Sequence, residues 1–149
     1  MMSELLKKIE ADFVEAIKKR DDLKISTLRL LKSSLHNLEI EKRIDLSNED
    51  IYVLLQKEIK QRQDSIIEFK KGNRKDLVKK EEGEIAILKP YLPEALSDTE
   101  VDKLIEEAIS KTGAKSSRDA GKVMGFLAAK VKSRVDGKTL FQKISERLR

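Results

Sequence analysis

Apolar residues return every three or four positions along nearly the whole chain, and no segment alternates apolar and polar with a period of two. A helix turns once in about 3.6 residues, so this spacing gathers apolar side chains on one face; a half-buried strand needs alternation instead. The regularity constrains the fold to helices packed face to face. It predicts an all-α protein: an N-terminal bundle or hairpin of about four helices, then a small three-helix domain.

The first helix is expected to bury Leu5, Leu6, Ile9, Phe13, Val14 and Ile17, with the Ser3 hydroxyl as its cap. The second, over about 24–42, places Ile25, Leu28, Leu31, Leu35 and Leu38 in one stripe. Ser47-Asn48-Glu49-Asp50 supplies a cap and two acids at the start of a third helix, with Val53, Leu55, Ile59, Ile66 and Phe69 as candidate core. Gly72 and Asn73 end it, because both residues tolerate positive φ. A fourth helix, over about 74–89, contains Gly83, which costs about 1 kcal/mol relative to Ala in a helix interior.

Pro90-Tyr91-Leu92-Pro93 breaks the pattern, since proline resists helix continuation. It marks the expected boundary between a domain over 1–92 and one over 97–149. Beyond it, Ser97-Asp98-Thr99-Glu100 reads as a capping box. Three helices follow, carrying Val101, Leu104, Ile105, Ala108 and Ile109, then Val123, Phe126, Leu127 and Val131, then Leu140, Phe141, Ile144 and Leu148. Gly113 and Asp136-Gly137 separate them.

Composition removes several chemistries. The chain has 0 Cys and 1 His, His36, which excludes a disulfide framework, a cysteine zinc site and a multi-histidine metal site. No apolar run approaches the roughly 18 residues of a spanning helix, so no membrane role is expected. The start, Met1-Met2-Ser3-Glu4, does not read as a secretory signal, and a cytoplasmic location is the resulting expectation. No catalytic residue, cofactor or metal ligand is assigned.

Charge is placed unevenly. Residues 1–100 are nearly balanced, whereas 101–149 hold 12 Lys and Arg against 6 Asp and Glu. Such asymmetry points to a polyanion or an acidic partner for the basic end. On a helical wheel Arg118, Lys122 and Lys132 share one face with the small residues Gly125 and Ala129 between them. A low face of that kind lets a phosphate backbone approach closely. The candidate nucleic-acid contacts are Arg118, Lys122, Lys130, Lys132, Arg134 and Lys138.

Other motifs read as surface. Gly137-Lys138-Thr139 resembles the end of a P-loop, but the position five residues before Gly137 is Lys132, not Gly. Arg29, Lys32, Ser33 and His36 fall at i, i+3, i+4 and i+7 and read as a solvated helix face. Basic residues over 60–75 alternate with Glu58, Asp64 and Glu68, so ion pairing along the helix is the default. Glu81, Glu82 and Glu84 read as a solvated charge run.

Several segments carry a family likeness: Thr27-Leu28-Arg29-Leu30-Leu31-Lys32 with Ile40-Glu41-Lys42, Lys60-Gln61-Arg62-Gln63-Asp64-Ser65-Ile66, and Phe69-Lys70-Lys71-Gly72-Asn73-Arg74-Lys75-Asp76-Leu77. Tyr91-Leu92-Pro93, Gly121-Lys122-Val123-Met124 and Lys130-Val131-Lys132-Ser133-Arg134-Val135-Asp136-Gly137-Lys138 complete it. Together these resemble the YqeY-like family, related to the tail domain of the B subunit of aspartyl/glutamyl-tRNA amidotransferase. The family's last motif has Gly and Ala where this chain has Ser133 and Val135, while Arg134, Asp136, Gly137 and Lys138 are kept.

The resemblance implies a non-catalytic, tRNA-binding accessory protein that works with a tRNA-dependent amidotransferase or an aminoacyl-tRNA synthetase. Two alternatives stay open. One is an adapter that docks on such an enzyme through protein contacts. The other is the family-level assignment of a carbon–nitrogen ligase with glutamine as amido-nitrogen donor.

Overall fold

The computed structural model describes residues 3–131 and 134–149. Among them are seven α-helices and no strand, as the periodicity predicts. They are α1 (Glu4–Lys19), α2 (Asp22–Lys42), α3 (Asn48–Lys71), α4 (Lys75–Leu88), α5 (Asp98–Thr112), α6 (Ala120–Val131) and α7 (Gly137–Arg147). Short 3₁₀ turns occupy Lys89–Tyr91 and Ser117–Asp119. The chain divides into two compact units, Met1–Leu92 and Pro93–Arg149.

The first unit is built on Ile9, Leu28, Leu31, Leu35, Leu46, Ile51, Leu55, Ile59, Leu88 and Tyr91. Each fully buried Leu or Ile contributes roughly 1.5–3 kcal/mol relative to exposure. Not every expected core residue joins them. Val14, Ile17 and Val53 stand about half exposed or more. At 100° per residue Val14 lies about 140° round α1 from buried Ile9, and Val53 about 160° round α3 from buried Leu55. Three- and four-residue steps can be traced through an apolar arc wider than the stripe a neighbour covers. Ile51 takes the core place offered to Val53.

Caps set the helix ends. The Ser3 hydroxyl accepts the Leu6 N–H at 3.1 Å. Ser47 and Asp50 form a reciprocal capping box, in which the Ser47 hydroxyl accepts the Asp50 N–H and the Asp50 carboxylate accepts the Ser47 N–H. At Ser97 only the forward bond from the Glu100 N–H is made among the described residues. After α3 the positive φ falls on Asn73, at 56°, while Gly72 keeps an ordinary negative φ. A Cβ at Gly83 would come within 2.8 Å of Leu23 Cδ2, so a side chain there requires the end of Leu23 on α2 to shift.

The second unit packs Val101, Ile105 and Ala108 of α5 against Ala120, Val123, Leu127 and Val131 of α6 and Leu140, Ile144 and Leu148 at the C-terminus. Gly113 ends α5 in the left-handed region at φ 69°. Asp136 caps α7, accepting the Thr139 N–H and hydroxyl. Phe141, an expected core residue, is 48% exposed; it lies about 100° round α7 from buried Leu140 and about 60° from buried Ile144, at the edge of the buried arc.

Candidate nucleic-acid interface

The basic surface begins at the α5–α6 connection. Lys115, Arg118 and Lys122 are all exposed. The one acid among them, Asp119, is engaged by the backbone: its carboxylate accepts the Lys115 N–H at 3.0 Å. That bond, with the nearby Ser116 N–H and the charges of Lys122 and Arg118, holds the Asp119 carboxyl below the usual carboxylate range. Arg118 lies in the Ser117–Asp119 3₁₀ turn, so its place is set by that turn and not by α6 geometry.

α6 buries Ala120, Val123, Leu127 and Val131 and leaves Gly121, Lys122, Gly125, Ala128 and Ala129 exposed. A Cβ at Gly121 or Gly125 would meet nothing within 4 Å, so these glycines lower an open face and serve no packing need. Lys138 lies on the neighbouring helix. It is exposed in the first turn of α7, and a Cβ on adjacent Gly137 would stand 3.8 Å from Met124 Cε of α6.

The other candidates are held differently. Lys130 Nζ lies 3.2 Å from Glu107 Oε1 and 4.7 Å from the Phe126 ring centre. Arg134 Nε donates to the Glu94 carbonyl at 3.0 Å, and the Arg134 carbonyl accepts the Leu96 N–H at 2.9 Å. Arg134 thus fastens the 94–96 segment. Lys132 lies outside the described residues. Elsewhere on this unit, Lys143 pairs with Asp98 at 3.0 Å and Arg147 with Glu106. Four of the six candidates, Arg118, Lys122, Arg134 and Lys138, have no carboxylate within ion-pair distance among the described residues, and of these Arg134 is held by the Glu94 carbonyl.

One polar cluster in the first unit is committed to structure. Arg62 on α3 donates through Nε to Glu84 Oε2 at 2.8 Å and through Nη1 to Glu58 Oε2 at 2.9 Å. Ser34 of α2 donates to Glu58 Oε1 at 3.1 Å. Burial works against the Arg62 charge, and the bonds to Glu58 and Glu84 more than offset it, so its pKa is raised. Glu84 is therefore buried, which corrects the reading of 81–84 as a solvated run. Burial raises the Glu81 carboxyl as well, reinforced by the Glu84 charge. The Glu58–Arg62 pair follows from i, i+4 spacing; the Glu84 partner had no signal in the sequence, because it depends on how α4 returns along α3.

At the α3–α4 turn, Arg74 is fixed by Asp76 through two hydrogen bonds. Arg29, Lys32, Ser33 and His36 line a concavity beside Phe13.

A family model described as "Yqey-like protein" matches residues 6–148. Three fungal proteins, each named "Altered inheritance of mitochondria protein 41, mitochondrial", are similar to the chain. The one from Pyrenophora tritici-repentis is 30% identical over 145 residues, covering 95% of this chain and 80% of that protein. The one from Lachancea thermotolerans is 38% identical over 128 residues, covering 81% and 68%. That of Saccharomyces cerevisiae strain YJM789 is 33% identical over 114 residues, covering 72% and 62%. Their names overturn the cytoplasmic expectation, which rested on the lack of a spanning apolar run and on how the first four residues read.

Proposed function

The chain belongs to the YqeY-like family, and from that premise we propose that it is a non-catalytic accessory protein that binds tRNA through its second unit. The observation that carries the reading is the open α6 face. Lys122 lies on it, Arg118 precedes it in the Ser117–Asp119 turn and Lys138 is exposed on α7, all three without carboxylate partners among the described residues, and Gly121, Gly125 and Ala129 keep the face low. Unneutralised Lys and Arg release counterions when they meet phosphates, which gives backbone affinity with little sequence preference. Aromatic residues are only 4% of the chain, too few for recognition by stacking on splayed bases. The fitting target is a folded RNA read by shape and backbone.

In this reading the chain serves a tRNA-dependent amidotransferase or an aminoacyl-tRNA synthetase, and that enzyme supplies the chemistry. The relatives' names make mitochondrial tRNA the first probe. The test is a mobility-shift titration against that pool. The Lys122→Glu/Lys138→Glu chain is expected to bind at least about tenfold more weakly at physiological salt. Equal affinity of the variant and the unaltered chain would overturn the reading.

A further inference from the structure

The first unit carries a second cationic surface with different construction. Arg29, Lys32, Ser33 and His36 share one face of α2, and with Phe13 of α1 they line a concavity of about 370 Å³. Lys32 Nζ stands 4.5 Å from the Phe13 ring centre and Arg29 Cζ 5.9 Å from it. An aromatic face attracts a cation through its quadrupole but leaves the net charge in place. The ring therefore positions two positive groups without cancelling either.

No acid lines this concavity, and Arg29, Lys32 and His36 are in no ion pair among the described residues. Other cations of the unit are held in ion pairs. Lys7, Lys19, Lys42, Arg62, Lys71 and Arg74 each meet a carboxylate within 4 Å. What distinguishes this place is that its unpaired cations line one concavity together, around an aromatic ring and a hydroxyl.

The chemistry of the lining fits phosphate. Arg29 offers a planar fork of N–H donors, Lys32 a compact charge and Ser33 a hydroxyl donor. Arg29, Ser33 and His36 are exposed, so these groups are open to a ligand. From Arg29 to His36 the helix rises about 10 Å, longer than one phosphate and suited to two or more in a row.

We propose that the Phe13–Arg29–Lys32–Ser33–His36 concavity binds consecutive phosphate groups. Two sources present them: a free polyphosphate chain, as on a nucleotide, and the backbone of an RNA strand. The site shares no residue with the α6 face, so its fate and that of the tRNA reading are separable.

The test is isothermal titration calorimetry of the full chain with two probes, inorganic tripolyphosphate and a short single-stranded RNA. Saturable binding of at least one probe is expected. It should weaken by about tenfold or more in Arg29→Gln/Lys32→Gln, which removes two charge-assisted contacts. It should persist in Lys122→Glu/Lys138→Glu. Binding of tripolyphosphate identifies a free polyphosphate as sufficient; binding of RNA alone identifies the nucleic-acid backbone. Ser33→Ala/His36→Ala, altering two exposed residues, gives a second reading that does not depend on the cation–ring packing, and a several-fold loss is expected. Failure of both probes to bind, or unchanged binding in both site variants, overturns the proposal.

Discussion

The Tyr91 hydroxyl donates to Asp12 Oδ2 at 2.6 Å, joining residues 79 positions apart. Tyr91 is buried at the end of the first unit, and Lys8 stands 5.8 Å over its ring. One side chain thereby ties the Lys89–Tyr91 turn back onto α1. Burial raises the Tyr91 pKa, with the hydrogen bond and charge of Asp12 adding to it. A phenol whose folded pKa lies above its unfolded value contributes stability that is whole below about pH 10 and is lost as pH rises further. Tyr91→Phe is expected to cost about 1–2 kcal/mol near neutral pH, since Asp12 is only partly buried and regains water. Urea denaturation followed by circular dichroism measures it. The gap between variant and unaltered chain should narrow on the alkaline side; a pH-independent gap would assign the cost to packing instead.

Arg62 is expected to be the most sensitive polar residue of the first unit. Its side chain is 11% exposed and it lies between Glu58 and Glu84. Arg62→Met leaves two carboxylates confined with no cation, a change worth about 3–5 kcal/mol when one partner of a buried pair is removed. Adding Glu58→Gln and Glu84→Gln should return much of that loss, because the penalty comes from stranded charge and not from the missing pair. Denaturation midpoints of the single and triple variants decide it. A single variant that loses under about 1 kcal/mol would mean that water already reaches the network.

These two contacts show where a linear chain stops informing. The spacing of Leu28, Leu31 and Leu35 announces α2 and its buried stripe because a helix repeats locally. Ser3, Ser47, Gly113 and Asp136 mark helix ends for the same reason: caps act within three or four residues. Tyr91–Asp12 and Arg62–Glu84 depend on which faces meet, and an apolar arc wider than its neighbour cannot report that. The exposure of Val14 and Val53 is the same failure seen from outside. On the basic surface, the excess of Lys and Arg was legible, but its division was not. Glu107 and the Glu94 carbonyl take up Lys130 and Arg134 from 23 and 40 residues away.

Asp50 provides an acid-side test. Its carboxyl is held at about 2, below the ordinary 3.8, first by Lys42 and then by the Ser47 N–H and hydroxyl. A folded pKa below the unfolded one gives stability that is whole above the unfolded value and is lost as pH falls through about 2. Asp50→Asn is expected to cost about 1 kcal/mol at neutral pH, because it weakens the return half of the Ser47 capping box and the pair with Lys42. Its deficit should shrink below pH 4 and be small by pH 2, where the folded carboxyl is half protonated. Parallel melts at those pH values check this, and a deficit undiminished at pH 2 would show that the carboxylate charge is not the cause.

Salt dependence gives the sharpest test of the α6 face. If Lys122 and Lys138 each neutralise one RNA phosphate, each contributes close to one counterion released on binding. The slope of log affinity against log salt concentration should then fall by about one in Lys122→Gln and by about two in Lys122→Gln/Lys138→Gln. Lys143→Gln serves as the control, because its Nζ is already paired with Asp98 at 3.0 Å and the field of that acid raises its pKa. Lys143 makes no phosphate contact in this reading, so the slope should stay near that of the unaltered chain. Circular dichroism of each variant separates lost contacts from lost structure, since Lys122 and Lys138 are exposed and their replacement leaves both helices intact. A Lys143 effect as large as that of Lys122 would mean that the RNA responds to net charge and not to the unpaired cations beside Gly121 and Gly125.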